Sequence, residues 1–285
     1  MTILKVSEIF YSLQGEGLYL GTPSIFLRMF GCNFTCAGYS MPKGKLSTEA
    51  DNIDPTKYGK YEELPLVHTG CDSYASWHRN FKQFSPKLSF DEVTNRIQQL
   101  LCAKQFSRDL HFIITGGEPL LNWQRCYPEL IRKLYERNLI NKLYITFETN
   151  GTQKLSSELC SFLSNPDYVQ ETTFAISSKL PSSGHSFEEA IRPEAVKSYM
   201  YVRESGKSFF KWVISHEEDI TNAIKAQLVY EAANIHWPAY LMPAGGTMES
   251  YEKNSLMVAE LVKQYSNFRY SPRLQVMLYG NSWAT

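Results

Sequence analysis

Neither sign of charge is in surplus: 29 Lys and Arg face 29 Asp and Glu, the net charge is zero and the pI is about 7.0. That excludes a broad electrostatic footprint for nucleic acid or an anionic membrane, because clustered cations hold both kinds of partner. No apolar run reaches the ~18 residues a membrane span needs. The opening Met1-Thr2-Ile3-Leu4-Lys5-Val6 lacks the basic segment, long apolar run and small-residue cleavage site of a secretory signal. These absences point to a cytoplasmic protein with neither nucleic acid nor membrane as a direct partner. Histidine is scarce too, and the six residues at 68, 78, 111, 185, 216 and 236 show no metal-ligand spacing. There is no internal repeat and no low-complexity tract.

Cysteine is equally sparse. Six in 285 residues do not make a disulfide framework. In a reducing compartment, clustered cysteines are more often metal-binding or catalytic. Cys102, Cys126 and Cys160 stand alone in helix-like segments and read as small buried apolar residues. The other three are grouped. Cys32 and Cys36 lie in Phe30-Gly31-Cys32-Asn33-Phe34-Thr35-Cys36, and Cys71 lies in Gly70-Cys71-Asp72-Ser73. Iron–sulfur cubanes normally take four Cys ligands, so three thiolates suit a [4Fe–4S] cluster with one iron left open. On spacing alone, a zinc knuckle and three ordinary buried thiols stand beside that reading.

With 43% apolar residues the chain can fill a sizeable core. Strand and helix signals alternate along it. Pro23 to Phe30, Leu110 to Ile114, Leu143 to Phe147, Thr172 to Ile176, Phe209 to Ile214, Ala239 to Met242 and Leu274 to Leu278 read as strands. Ser89 with Glu92, and Ser215 with Glu218, read as capping boxes. Ile220, Ile224 and Leu228 recur at helical spacing, and Leu256 to Tyr265 reads as a helix. Repeated strand–helix units imply an α/β fold with a parallel sheet. Six or so units make a partial (β/α)6-type TIM-like barrel, one domain over 1–285. Chemistry in such barrels gathers at the carboxyl ends of the strands. The polar motifs fall there: the Cys32–Cys36 loop, Gly116-Gly117-Glu118-Pro119, Glu148-Thr149-Asn150-Gly151 and Ser177-Ser178-Lys179.

Residues 37–70 break the rhythm. They separate Cys36 from Cys71 by 34 residues without a clear period. A structureless stretch of that length is unusual in a compact domain. It reads either as a tolerated surface excursion or as a lid or subunit-contact element. Gly116-Gly117 alone is a common turn. After a strand, it lets backbone approach a ligand closely.

Taken together, Cys-x3-Cys, a later Cys and a strand-ending Gly-Gly-Glu-Pro resemble the radical S-adenosylmethionine superfamily. Within it, the chain resembles the 7-carboxy-7-deazaguanine synthase family. Glu8-Ile9-Phe10-Tyr11-Ser12-Leu13-Gln14-Gly15-Glu16-Gly17, Ser24-Ile25-Phe26-Leu27-Arg28, Glu148-Thr149-Asn150-Gly151-Thr152, Met242-Pro243 and Leu278-Tyr279-Gly280-Asn281 carry that likeness. The resemblance implies a radical lyase that turns 6-carboxy-5,6,7,8-tetrahydropterin into 7-carboxy-7-deazaguanine with loss of ammonia. It implies Cys32, Cys36 and Cys71 as cluster ligands. Gly116, Gly117, Glu118, Ser177 and Lys179 would hold S-adenosylmethionine. Gln14, Arg28, Thr115 and Glu148 would bind the pterin, with Arg28 on its carboxylate. Ser73 stands where the family often has a Mg²⁺-binding Thr, and Gln275 where relatives often carry His. The resemblance also implies a homodimer and an electron donor such as flavodoxin or ferredoxin. Two rival readings are a glycyl-radical activase of the same superfamily and a non-catalytic metal-binding scaffold.

Overall fold

The structure, a computed structural model, describes residues 3–204 and 206–285. Nine strands form one sheet in the order β3-β1-β2-β4-β5-β6-β7-β8-β9. The strands are β1 (Ile3–Leu13), β2 (Pro23–Met29), β3 (Lys87–Ser89), β4 (His111–Gly116), β5 (Leu143–Thr149), β6 (Val169–Ile176), β7 (Phe209–Ile214), β8 (Ala239–Pro243) and β9 (Phe268–Tyr270). The helices are α1 (Phe90–Leu101), α2 (Tyr127–Glu136), α3 (Ser157–Leu163), α4 (Phe187–Ala190), α5 (Pro193–Val196), α6 (Asp219–Ala232), α7 (Met248–Gln264) and α8 (Leu274–Tyr279). From β2 to β9 every pairing is parallel; β1 pairs antiparallel with both β2 and β3. This mostly parallel sheet is the partial α/β barrel that the strand–helix alternation implies. β2 and β4–β8 supply six parallel strands, and β9 extends the run.

Period-two alternation sorts the strand residues between two faces. Ile25, Leu27 and Met29, then Phe112 and Ile114, Ile145 and Phe147, Phe174 and Ile176, and Phe210, Trp212 and Ile214 all join the main core with helix residues such as Val93, Ile97, Leu130 and Leu134. The residues between them face the other way. Arg28, Thr115, Glu148, Lys211 and Val213 line one cavity on that inner side. Register reinforces the arrangement, with Arg28 directly beside Thr115.

Several local expectations change. Leu274–Leu278 is not a strand but lies within α8. Its apolar residues alternate, yet only Val276 is buried. Gly280, at φ 61°, ends that helix. The last strand is instead the short β9. β1 was not anticipated; it lies antiparallel between β2 and the short edge strand β3 rather than in a strand–helix unit. The Ser89–Glu92 capping box forms, but the Ser215–Glu218 box does not. Asp219 takes the role one residue later, accepting from the Ser215 and His216 N–H groups at 2.8 and 3.0 Å. Leu228 continues the helical spacing but is 59% exposed, because α6 turns its stripe of Ile220, Ala223, Ala226 and Tyr230 to the core instead. α7 begins earlier than Leu256, at Met248. Cys126 is buried and Cys160 half-buried, whereas Cys102 is exposed, in a left-handed residue that ends α1.

Residues 37–70 contain three single-turn helices, Ala50–Asn52, Pro55–Lys57 and Tyr61–Glu63. The segment leaves and returns through a narrow neck. Ser47 N–H bonds the Ala37 carbonyl at 2.7 Å, and Gly70 N–H bonds the Tyr39 carbonyl at 2.8 Å. That neck sets Cys71 back beside Cys36. Among the described residues no helix is long and apolar enough to cross a membrane.

Candidate active site

The cysteine loop begins where β2 ends. Gly31 turns the chain at φ 116°, a conformation costly for any residue with a Cβ. Its N–H bonds the Ser76 carbonyl at 2.8 Å. Cys32 Sγ accepts from the Phe34 N–H at 3.4 Å. The Thr35 and Cys36 N–H groups both point at His185 Nε2, at 3.1 and 3.2 Å. His185, in the segment before α4, therefore acts as an acceptor for the loop. Cys32, Cys36 and Cys71 pack in one small cluster with Phe34 and Tyr39, and all three line the cavity.

Their surroundings make reluctant thiolates. Burial pushes the Cys32 thiol up to about 12 and the Cys36 thiol higher still. Burial also raises Cys71; Asp72 adds to the rise, and the Trp77 indole and Ser73 N–H oppose it. The Lys179 ammonium lowers all three. Among the described residues no three His, Cys, Asp or Glu side chains could hold a single metal ion. A zinc ion needs all its ligands about 2.0–2.3 Å away. The three thiols are gathered in one cluster at the cavity.

Two glycines seat the next motif on this loop. A Cβ at Gly116 would lie 2.2 Å from the Met29 carbonyl oxygen, and one at Gly117 2.3 Å from that of Gly31. Gly117 N–H bonds the Met29 carbonyl at 3.2 Å and Glu118 N–H bonds that of Gly31 at 2.7 Å. The missing side chains thus serve contact with the cysteine loop, while the backbone of both glycines lines the cavity. Glu118 differs from expectation. Its carboxylate is fully buried and does not line the cavity. It accepts from Leu120 N–H at 3.0 Å, Thr149 Oγ1 at 2.8 Å and Asn150 N–H at 2.6 Å, bracing the β4 end against the β5 end. Burial raises its pKa to about 6, against those hydrogen bonds and Lys179.

The remaining expected residues meet in the same cavity. Arg28 Nε donates to Glu8 Oε2 at 2.6 Å. Gln14 Nε2 donates to Glu148 Oε1 at 3.2 Å. Lys179 Nζ donates to Ser177 Oγ at 3.2 Å. Thr115 is buried beside Arg28, and Ser73 Oγ donates to Asp72 Oδ1 at 3.3 Å.

A second group escaped the sequence. Glu16 accepts from Arg273 Nε at 3.2 Å, from Gln275 Nε2 at 2.8 Å and from Lys211. Arg273 also donates to Asp72 Oδ2 at 2.5 Å and to the Gly245 carbonyl. Burial alone would raise the Glu16 pKa, but the two cations outweigh it and hold it near 2. One signal was available: Lys211 sits inside the apolar strand Phe209-Phe210-Lys211-Trp212-Val213-Ile214, where an unpaired cation is rarely buried. Among the described residues, Gln275 Oε1 is a buried polar atom of the cavity wall with no hydrogen-bond partner.

The family described as "4Fe-4S single cluster domain" matches residues 13–193, more than half of the chain and all three clustered cysteines. The chain belongs to this family. That assignment fits the donor set, three thiols gathered at one cavity. The 4Fe-4S family match runs through the 37–70 segment rather than stopping at it. Over its length the chain is also similar to curated relatives. It is 24% identical over 283 residues to a 7-carboxy-7-deazaguanine synthase of Halobacterium salinarum, covering 98% of this chain and 91% of the relative. It is 25% identical over 279 residues to a 7-carboxy-7-deazaguanine synthase of Pyrobaculum aerophilum, covering 98% and 96%. The crystal structure of QueE from Escherichia coli superposes with a TM-score of 0.55 at 16% identity, over 95% of this chain and 94% of that one, a likeness of fold.

Proposed function

We propose that the chain is a radical S-adenosylmethionine lyase that converts 6-carboxy-5,6,7,8-tetrahydropterin to 7-carboxy-7-deazaguanine and releases ammonia. The observation that carries this reading is one cavity shared by three gathered thiols and by Arg28, Gln14, Thr115 and Glu148. The full-length likeness to synthases of that name supports it.

Cys32, Cys36 and Cys71 would hold the [4Fe–4S] cluster. Held there with S-adenosylmethionine, the cluster would supply one-electron radical chemistry. The protein's own work is to bind, orient and exclude water. Gly116 and Gly117 offer backbone at the cluster's edge, and Ser177 and Lys179 suit the cofactor's carboxylate and ribose. Glu118 supports this group from beneath as a brace. Arg28 keeps its Nη edge for the substrate carboxylate while Glu8 occupies Nε. Gln14 and Glu148 present amide and carboxylate edges to the pterin, and Gln275, where relatives often carry His, donates to Glu16. Ser73 keeps a hydroxyl oxygen for Mg²⁺. A cytoplasmic homodimer reduced by flavodoxin or ferredoxin completes the proposal.

The test is anaerobic reconstitution with iron and sulfide, reduction, and addition of both substrates, with 7-carboxy-7-deazaguanine followed by mass spectrometry. The reading expects product from the native chain and none from Cys71→Ala. Cleavage of S-adenosylmethionine with an intact pterin would sink the substrate assignment. A protein that takes up no cluster would be a scaffold instead.

A further inference from the structure

The segment between Cys36 and Cys71 has its own small core. Tyr61, Leu64 and Val67 pack with Tyr74, Ala75 and Phe81, apart from the core beneath the sheet. A residue distant in sequence enters it. Trp283 Nε1 donates to the Leu64 carbonyl at 2.6 Å, and its ring meets Tyr61 edge-on at 5.0 Å and Tyr74 at 5.9 Å. The next residue passes from this socket into the cavity. Ala284 packs on Phe10, Phe26 and Ile113, and its N–H donates to Glu8 Oε1 at 2.9 Å. The other oxygen of Glu8 holds Arg28 Nε. Asn281 pins the start of the segment, with Nδ2 donating to the Gly246 carbonyl at 2.8 Å. Among the described residues the buried Tyr61 hydroxyl has no hydrogen-bond partner, and Glu8 and Arg28 both act on it electrostatically.

We propose that residues 37–70 form the socket for a C-terminal strap, and that Trp283 is a positioning residue that fixes Arg28 for an anionic substrate group. The proposal rests on the reading of Arg28 as the carboxylate partner. Each link is short. The socket holds Trp283, Trp283 places the Ala284 N–H, that N–H fixes Glu8, and Glu8 turns the guanidinium so that its outer edge faces the cavity. A bidentate arginine contact depends on orientation, so a loosened Glu8 weakens it before it weakens anything else. Among the described residues, no hydrogen bond from 281–285 reaches Cys32, Cys36 or Cys71. The effect is therefore confined to the substrate side.

Trp283→Ala and Trp283→Phe in the reconstituted holoenzyme test it. Trp283→Ala should raise KM for 6-carboxytetrahydropterin about tenfold with kcat changed less than about threefold, and Phe, which keeps the ring contacts, should recover part of that loss. Iron content and the spectrum of the reduced cluster should match the native protein. Binding of the unreactive analogue 6-carboxypterin should weaken by the same factor, while 6-methylpterin, which lacks the carboxylate, binds unchanged. Should Trp283→Ala not fold, Trp283→Phe decides, with a carboxylate-specific loss of about twofold or more expected from its missing Nε1–H. Unchanged KM and analogue binding, or equal losses for both pterins, would overturn the strap. A native protein that binds the two pterins equally would instead sink the reading of Arg28.

Discussion

Two walls of the cavity are prepared in opposite ways. Along the wall from β2, β4 and β6, burial raises three thiols, and Lys179 lowers each of them. Along the wall from β1, β7 and α8, Glu16, Lys211, Arg273 and Asp72 are already paired. On the proposed reading a cluster would complete the first wall; the second is paired within the protein. A metal centre whose ligands must lose protons couples loading to pH and to folding. A pre-paired ion network instead gives a fixed electrostatic shape, in which water has nothing left to solvate.

The largest expected effect breaks the first wall. Cys71→Ala should abolish cluster retention and product, seen as lost iron and visible absorbance, while apoprotein stability changes by no more than about 1 kcal/mol. Glu16→Gln breaks the second. It leaves two buried cations short of a partner, so unfolding by urea should become easier by about 3–5 kcal/mol. If the two substitutions had the same signature, the walls would not differ.

Titration sharpens the contrast. Glu16 is held near 2 in the folded chain against 4.5 free. Its stabilisation, about 3 kcal/mol, is complete above pH 4.5 and is lost as pH falls toward 2. Glu118, raised from 4.5 to about 6, has the opposite sign. Its contribution is fullest below pH 4.5 and about 2 kcal/mol of it disappears as pH rises through 6. Urea midpoints of the apoprotein from pH 3 to 7 should show both slopes, and Glu118→Gln should flatten the upper one. The smallest effect is expected far from both walls. Leu228→Gln should shift stability by less than about 0.5 kcal/mol, because that exposed side chain has little to lose.

Legibility in the sequence followed distance along the chain. Cys32 and Cys36, Gly116 and Gly117, and the Glu148 segment are compact motifs at strand ends, and all reach the cavity. β2 and β4–β8 were readable because their outward residues are apolar, whereas β1 and the short β3 and β9 were not. The charge network was not, since Glu16 meets Lys211, Arg273 and Gln275 across separations of 195 to 259 residues. Glu118 was placed correctly in the chain but given the wrong neighbours, as no local pattern says which way a buried carboxylate turns. Leu274 to Leu278 failed for the converse reason: its alternation suits a strand, and tertiary contacts of Val276 and the Gly280 stop favoured one short helix. The 34-residue gap hid the neck that closes it, because backbone pairing between Tyr39 and Gly70 leaves no side-chain signature.

His185 has a consequence for vacancy. An imidazole beside three thiols is ordinarily a rival for any open coordination position. Here the Nε2 lone pair faces two amide hydrogens, of Thr35 and Cys36, which leaves the ring's proton on Nδ1. A ring so engaged has no electron pair to give a metal. The nearby histidine is thereby disarmed, and on the proposed reading an open iron would be left to a ligand arriving from solution.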